Sequence, residues 1–343
     1  MNALRLLALA LLGLLAPAQQ QPAPRTFLAG ELTPAQCAEL AQFAPALKVL
    51  PNLTREQALT HAAEADGADA RLLTPEFLAA AKQLVWVQAM SAGVDRYVEL
   101  KGIADNDKLV LTNLKGVHGP AIADHVFGML LELTRDLRFY AAEQAQARWT
   151  REGSGGRPSA LMDRTLLVVG LGGIGSEVAQ RAHGFGMKVI ATRRNAATPA
   201  PEWIAHVGPP EELLTLLPQA DVVVICVPLT QSTEHLFEAK ALAALKPGAV
   251  LVNVARGKVV DTPALVAALQ SKHLGGACLD VTDPEPLPKD NPLWAMKNVV
   301  ITPHVASDAE LTEERAWALL KENLKHFAAG EPLLNVVDKK AGY

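Results

Sequence analysis

Thr165-Leu-Leu-Val-Val-Gly-Leu-Gly-Gly-Ile-Gly175 is the stretch that decides the fold of this 343-residue chain. Its first five residues form the short apolar run of a buried strand. After the glycines an apolar stripe recurs at helical spacing (Ile174, Val178, Ala182 and Phe185). A G-x-G-x-x-G motif between a strand and a helix predicts a dinucleotide-binding loop.

Each glycine of this motif has its own task. Gly170 permits the tight turn, Gly172 lets a pyrophosphate approach the backbone, and Gly175 lets the helix pack closely on the strand. The free N–H groups at the start of the helix favour phosphate oxygens. We therefore predict that the whole loop contacts the cofactor: Gly170, Leu171, Gly172, Gly173, Ile174 and Gly175.

The composition predicts a globular protein with two domains of ordinary size. Half of the residues are hydrophobic and 20% are charged, so the chain can bury large cores. A net charge of −4 and the lack of a basic stripe argue against nucleic acid as a partner. The three cysteines are far apart, and no Cys/His pattern predicts a metal site.

The first residues have the layout of a secretory signal peptide, which we assign to residues 1–18. Met1–Arg5 is short and positive, Leu6–Leu15 is apolar, and Ala16-Pro17-Ala18 offers an A-x-A cleavage site. Cleavage there would leave no stable membrane anchor. A functional leader predicts an exported, periplasmic protein. A mis-assigned start codon would instead leave the protein in the cytoplasm, where reduced nicotinamide cofactors are available.

Strand and helix patterns alternate through the second half of the chain. The strand candidates are rich in Val, Ile and Leu without polar alternation, as in parallel strands covered on both faces: Leu166–Val169, Lys188–Thr192, Asp221–Val227, Ala249–Ala255, Ala277–Val281 and Val299–Thr302. Six such strands with crossover helices predict a doubly wound α/β sheet.

The earlier part of the chain predicts a smaller α/β unit. Its strand candidates are Thr26–Ala29, Leu47–Leu50, Arg71–Leu73, Leu84–Gln88 and Leu109–Thr112. A long helix begins at Pro120, and its apolar stripe continues for about five turns to Leu137. This helix either joins the two units and covers a partner subunit, or is a plain core helix.

The residues after the second strand of the doubly wound sheet favour NADP(H) over NAD(H). In the NAD version of this fold an acidic residue ends that strand and binds the ribose hydroxyls. Here the strand ends at Thr192 and is followed by Arg193 and Arg194. Two guanidinium groups bind a 2′-phosphate, whereas a carboxylate would repel it.

Three strands of the same sheet each end at one polar residue of chemical interest. They are Arg256, Glu285 and His304. Ligands bind at the carboxyl ends of strands in open α/β sheets, so these side chains can converge. Arg256 would hold a carboxylate and polarise an adjacent carbonyl. His304 would donate the proton that accompanies hydride transfer, and Glu285 would orient its ring and favour the imidazolium.

The sequence resembles the D-isomer-specific 2-hydroxyacid dehydrogenase family, which includes glyoxylate/hydroxypyruvate reductases and D-lactate and phosphoglycerate dehydrogenases. The similarity runs from about residue 26 to 338. The matching segments are Ser91–Asp95, Ala121–His125, Val169–Gly175, Val227–Thr233, Leu251–Asp261, Leu279–Pro286, Thr302–Ser307 and Gly330–Val337.

The resemblance implies a catalytic triad of Arg256, Glu285 and His304, and a homodimer. It also implies a Rossmann doubly wound NAD(P)-binding domain over 119–306. A smaller flavodoxin-like substrate-binding domain would combine 26–118 with 307–343. Further implied cofactor contacts are Val227, Pro228, Thr233 and Asp280. The implied carboxylate-binding residues are Ala92, Gly93 and Val94.

The sequence therefore predicts an NAD(P)-dependent D-2-hydroxyacid dehydrogenase that reduces a small 2-keto acid to a 2-hydroxy acid. The alternative is a nicotinamide-sensing, corepressor-like binding protein without significant turnover, which the triad alone does not separate from the enzyme. His118 lies where part of the family has a residue facing the cleft. A substrate contact and a solvated loop both remain open for it.

Overall fold

The structure, a computed structural model, describes residues 24–154 and 158–343. The predicted signal peptide, residues 1–18, lies outside the described residues. No helix within the two described ranges is long and apolar enough to cross a bilayer.

The first sheet has five parallel strands in the spatial order β2-β1-β3-β4-β5. The strands are β1 (Arg25–Leu28), β2 (Leu47–Leu50), β3 (Gly67–Asp69), β4 (Trp86–Gln88) and β5 (Val110–Thr112). This is the strand order of flavodoxin-like folds, so the predicted smaller α/β unit is confirmed. The helices among these strands are α1 (Pro34–Phe43), α2 (Arg55–Thr60), α3 (Pro75–Ala80) and α4 (Asp95–Val98).

The prediction of a strand at Arg71–Leu73 is wrong. The strand is Gly67–Asp69, and Ala70–Leu72 forms a single turn of 3₁₀ helix that Asp69 caps by accepting a hydrogen bond from the Arg71 N–H. A Cβ atom on Gly67 would lie 2.8 Å from the Phe27 ring and 3.1 Å from the Trp86 ring. Packing from the two neighbouring strands, β1 and β4, requires glycine there, although glycine has a low intrinsic preference for strands.

Two helices, rather than one, follow the first sheet. They are α5 (Gly119–Thr134) and α6 (Leu137–Ala145). Asp136 between them has a φ of +58°, in the left-handed region, and therefore ends the first helix. Its carboxylate accepts hydrogen bonds from the backbone N–H and the hydroxyl of Ser154, at 2.6 and 2.8 Å. The predicted apolar stripe is interrupted before Leu137, which is 49% exposed.

The second sheet has seven parallel strands in the order β12-β11-β10-β9-β6-β7-β8. The strands are β6 (Thr165–Val169), β7 (Lys188–Thr192), β8 (Ile204–Gly208), β9 (Val222–Ile225), β10 (Val250–Asn253), β11 (Gly276–Leu279) and β12 (Val299–Ile301). Counted within this sheet, the order from β8 is 3-2-1-4-5-6-7, the doubly wound order with one strand added. The predicted Rossmann architecture is confirmed.

The sequence predicted six of these strands and missed β8. This strand lies at the edge of the sheet, and the side chains of Ala205 and His206 in its middle are exposed. A half-exposed edge strand lacks the continuous apolar run that marked the central strands.

Both faces of the second sheet are covered, as the apolar strand runs predicted. Leu167 and Val169 of β6 point into one core and Leu166 and Val168 into the other. The helices here are α7 (Gly173–Gly184), α8 (Leu213–Leu216), α9 (Ala239–Ala243) and α10 (Thr262–Gln270). Helix α5 lies in the second core, where Val126 packs with Val178 of α7.

The chain returns to the first sheet after β12. Helix α11 (Glu310–Ala329) places Leu324 and Phe327 in a buried cluster with Phe27 and Trp86. The buried side-chain amide of Asn323 donates a hydrogen bond to the side-chain oxygen of Gln88 at 3.0 Å. Helix α11 is thus part of the core beside β1 and β4.

Candidate active site

The glycine loop joins β6 to α7 by a close backbone approach. Gly170 has a φ of +101°, and its N–H and that of Leu171 donate to the carbonyl of Thr192 at the end of β7, at 3.1 and 2.8 Å. A Cβ atom on Gly175 would overlap the carbonyl oxygen of Gly170 and lie 2.8 Å from Val168. By contrast, no described atom lies within 4 Å of an ideal Cβ on Gly172. Gly175 therefore serves packing, and Gly172 faces open space in which a phosphate group fits.

Val227, Pro228 and Thr233 form the wall beside this loop. A Cβ atom on Gly170 would lie 2.9 Å from a methyl group of Val227, which follows β9. The Thr233 hydroxyl donates to the carbonyl of Pro228 at 2.6 Å and closes the turn. The structure brings these three predicted residues together with Gly170.

Two arginines stand at the end of β7. The backbone N–H of Arg193 donates to the Gly208 carbonyl of β8 at 3.0 Å. Its side-chain Nε and one Nη are buried and have no hydrogen-bond partner within the described ranges. The Arg194 guanidinium lies over the ring of Tyr343, 4.4 Å from the ring centre. Buried guanidinium donors without partners, beside a glycine loop, fit a phosphorylated dinucleotide.

His304 and Glu285 form a hydrogen-bonded pair at the ends of β12 and β11. His304 Nδ1 lies 3.1 and 3.2 Å from the two carboxylate oxygens of Glu285. An ionised carboxylate can only accept, so Nδ1 bears a proton and Nε2 is directed elsewhere. The His304 side chain is 45% exposed and within reach of a ligand.

The loop that positions His304 is held by the buried carboxylate of Asp280. One carboxylate oxygen accepts from the Thr302 hydroxyl at 2.7 Å and from the Val305 N–H at 3.0 Å, and the other accepts from the Ala306 N–H at 3.1 Å. The His304 N–H donates to the Asp280 carbonyl at 2.8 Å. In this structure Asp280 is thus an anchor for the His304 loop.

His125 of α5 extends this network, although the sequence predicted no role for it. Its Nε2 lies 2.9 Å from the Thr302 hydroxyl and 3.7 Å from the Asp280 carboxylate. Since the Thr302 hydroxyl donates to Asp280, it accepts from His125. His125 lies in one of the segments that resemble the family, but nothing local in the sequence indicated its distant partner.

Arg256 crosses from the second sheet to a loop of the first domain. Its Nε and one Nη lie 3.1 and 3.0 Å from one carboxylate oxygen of Asp95. A Cβ atom on Gly93 would overlap the same Nη, so only glycine permits this approach. The structure therefore brings Arg256 together with the predicted residues Ala92, Gly93 and Val94.

The loop at Ala92–Val94 offers free backbone donors. The carbonyl of Ala92 accepts from the Asn113 side chain at 2.9 Å, and that of Gly93 accepts from the Ser91 hydroxyl at 2.7 Å. The three N–H groups make no hydrogen bond to any residue that the structure describes. Unpaired N–H groups beside a guanidinium suit a carboxylate ligand.

His118 is not part of a solvated loop, so that alternative is wrong. It precedes α5 and is half-buried, and its inaccessible Nδ1 has no partner among the described residues. Burial lowers the pKa of the imidazole, because desolvation disfavours the charged form.

Alanine at Gly172 and at Gly175 should have opposite effects. We expect Gly172→Ala to unfold at an unchanged denaturant concentration but to bind a nicotinamide dinucleotide about tenfold or more weakly, because the new methyl group enters the phosphate space. We expect Gly175→Ala to unfold at a clearly lower denaturant concentration, because its methyl group overlaps the backbone of Gly170. Urea titration and cofactor titration of both variants measure this. Equal destabilisation by the two substitutions would contradict the assignment.

Comparison with known proteins agrees with this geometry. Residues 127–306 match the sequence pattern of the D-isomer specific 2-hydroxyacid dehydrogenase, NAD binding domain. The chain is 38% identical to a glyoxylate reductase of Thermococcus litoralis. The match covers 67% of this chain and 70% of the relative. It is 34% identical to an (S)-sulfolactate dehydrogenase of Chromohalobacter salexigens, covering 73% of this chain and 79% of that one.

A solved structure shares the whole architecture. It is a D-isomer specific 2-hydroxyacid dehydrogenase from Xanthobacter autotrophicus Py2 in complex with NADPH and MES, 31% identical with a TM-score of 0.79. The match covers 94% of this chain and 100% of that chain. By its sequence, its two parallel-sheet domains and its glycine loop, the chain belongs to the D-isomer-specific 2-hydroxyacid dehydrogenase family and is an NAD(P)-dependent oxidoreductase.

Proposed function

We propose that this protein reduces a small 2-keto acid to the D-2-hydroxy acid, and catalyses the reverse reaction, with NADP(H) preferred over NAD(H). One observation above all supports the reaction: Arg256, Glu285 and His304 follow the carboxyl ends of three neighbouring strands, and His304 Nδ1 is already paired with Glu285. Relatives named for reactions on glyoxylate and on sulfolactate agree with a 2-keto or 2-hydroxy acid as substrate.

The nicotinamide, when bound, supplies the hydride for the keto carbon. Arg256 and the free N–H groups of Ala92–Val94 bind the substrate carboxylate, and Arg256 also polarises the neighbouring carbonyl. As charge develops on the carbonyl oxygen, His304 Nε2 donates a proton to it and forms the hydroxyl group. Glu285 accepts a hydrogen bond from the other ring nitrogen, Nδ1, which fixes the ring orientation and leaves Nε2 for the carbonyl oxygen.

The preference for NADP(H) is supported by Arg193 and Arg194 at the end of β7. No acidic residue follows Thr192 there, and the Arg193 donors are buried without partners in the described part of the chain. Burial of unpaired donors is costly, and a 2′-phosphate would satisfy them with charge-assisted hydrogen bonds. The rest of the dinucleotide would lie against the glycine loop and the wall formed by Val227, Pro228 and Thr233.

We assign substrate binding to the domain formed by residues 26–118 and 307–343, and cofactor binding to residues 119–306. The packing of α11 on the first sheet supports the joining of the two outer segments. The ion pair between Arg256 and Asp95 crosses the cleft between these domains. Closure of this cleft on substrate would exclude water from the hydride transfer.

We infer a homodimer, with α6 and the chain that follows it in the interface. Trp149 is 95% exposed, Met162 is 66% exposed, and Leu137 is 49% exposed. All three lie in one stretch of the chain, and exposed large apolar side chains are typical of association sites. Sedimentation of the wild type and of Trp149→Ser measures the association state, and a monomeric wild type would contradict the inference.

We also propose export to the periplasm through a cleaved leader at residues 1–18. If residues 1–18 are not a functional leader, the protein is cytoplasmic. The amino-terminal sequence of the protein purified from cells decides between the two, because cleavage predicts Gln19 as the first residue.

The chain starting at Gln19 should oxidise NADPH in the presence of a 2-keto acid, with a higher kcat/KM than for NADH. The panel is glyoxylate, hydroxypyruvate, pyruvate and a branched 2-keto acid. We expect Arg193→Leu to lower the NADPH-to-NADH ratio of kcat/KM by about tenfold, because charge-assisted bonds to the 2′-phosphate are lost. Cofactor binding without turnover on any acid would favour a nicotinamide-sensing binding protein instead.

Loss of His304 or of Arg256 should slow the reaction strongly but leave cofactor binding intact. We expect His304→Ala and Arg256→Ala each to lower kcat/KM by about two orders of magnitude or more. NADPH affinity should stay close to that of the wild type. His206→Ala is the matched control, because His206 also pairs with a glutamate, Glu212 at 2.6 Å, but on edge strand β8. Unchanged turnover in the His304 and Arg256 variants would rule out the mechanism.

A further inference from the structure

The segment Asp338–Tyr343 contacts both domains. On the side of the first domain it is anchored beside β5. The Val337 N–H donates to the Leu111 carbonyl at 2.8 Å. The Lys339 ammonium donates to three backbone carbonyls, those of Ile103, Asn106 and Leu109, at 3.1, 2.5 and 3.0 Å.

The same segment is folded into a closed turn. The Gly342 N–H donates to the Asp338 carbonyl at 2.9 Å, and the Asp338 N–H donates to the Tyr343 carbonyl at 3.2 Å. The Asp338 carboxylate accepts from the N–H groups of Lys340 and Ala341, both at 3.0 Å. Together with the Lys339 contacts, these bonds fix the backbone of Tyr343 relative to the first domain.

Tyr343 contacts the second domain at the proposed cofactor site. Its ring lies under the Arg194 guanidinium, with 4.4 Å between the ring centre and Arg194 Cζ. An ideal Cβ on Gly342 would lie 3.6 Å from the methyl group of Thr230. Arg194 follows β7 and Thr230 follows β9, and β6 with its glycine loop lies between those two strands. Gly342 and Tyr343 therefore span the sheet edge on which a dinucleotide binds in doubly wound folds.

The contact leaves the donors of Arg194 available. A ring stacked on a guanidinium engages its flat face, whereas its N–H groups point outward in the plane. The stacking also restricts the Arg194 side chain before a phosphate binds. Less rotamer entropy is then lost on binding. Arg194 is therefore held ready for an anion at the end of β7.

We propose that Tyr343 is a positioning residue of the cofactor site, which orients Arg194 toward the 2′-phosphate of NADP(H). The proposal rests on the NADP(H) preference proposed above. It makes the first domain, through the turn at Asp338–Tyr343, a contributor to cofactor selectivity in the second. NAD(H) lacks the 2′-phosphate that Arg194 would bind, so the effect is confined to NADP(H).

The test is direct fluorescence titration of NADPH and NADH, without substrate, on the full chain and four variants: Tyr343→Leu, Tyr343→Phe, Arg194→Leu and the double variant Tyr343→Leu/Arg194→Leu. We expect Tyr343→Leu to raise the Kd of NADPH about two- to fivefold, the value of an exposed cation–π contact, and to leave the Kd of NADH unchanged. Tyr343→Phe keeps the ring and should restore wild-type NADPH affinity. In a double-mutant cycle, Tyr343→Leu should add no further loss to Arg194→Leu, because its effect passes through that residue.

The outcomes separate this inference from the one on which it rests. If Arg194→Leu raises the Kd of NADPH but Tyr343→Leu does not, the role of Tyr343 is overturned and the cofactor preference stands. If Tyr343→Leu raises the Kd of NADPH and the Kd of NADH equally, Tyr343 has only a structural role and the inference also fails. If Arg194→Leu leaves the Kd of NADPH unchanged, Arg194 does not bind the 2′-phosphate, and both proposals about it fail together.

Discussion

The parallel direction of all seven strands in the second sheet is the constraint on which the site depends. It puts every carboxyl end on one edge, so residues remote in sequence can meet there. The buried carboxylate of Asp280 converts this edge into a defined geometry, because it binds the loop after β12 with both of its oxygens. His304 is positioned by that loop and by its contact with Glu285. A sheet of mixed direction would scatter these groups over two edges.

Two of the contacts between the domains are made by arginines of the second domain. Arg256 is paired with Asp95 and lies against Gly93, and Arg194 is stacked on Tyr343. Each arginine retains donors that the observed contact does not use, so each can bind an anionic ligand without leaving its partner. The substrate carboxylate and a cofactor phosphate are the anions that this chemistry suits. The same contacts that hold the domains together therefore prepare them for ligands.

Much of the fold followed from local patterns. The six buried strands of the second sheet were predicted because each is a continuous apolar run with both faces covered. Where a pattern was weak, prediction failed for identifiable reasons. Strand β3 contains Gly67, which the rings of Phe27 and Trp86 require. Strand β8 is half-exposed at the sheet edge, and the long helix ends at Asp136, whose left-handed backbone is stabilised by the distant Ser154.

The sequence by itself determined the strand–glycine–helix unit, the doubly wound class of the second domain and the residue types available for chemistry, because these depend on neighbours within a few turns. Only the tertiary structure decided which of those residues meet. Arg256 and Asp95 are 161 positions apart, and His125 and Thr302 are 177 positions apart. Their contacts depend on the packing of whole sheets and helices, and no local pattern encodes such a distance. For the same physical reason, the contact between Tyr343 and Arg194 became visible only in the folded chain.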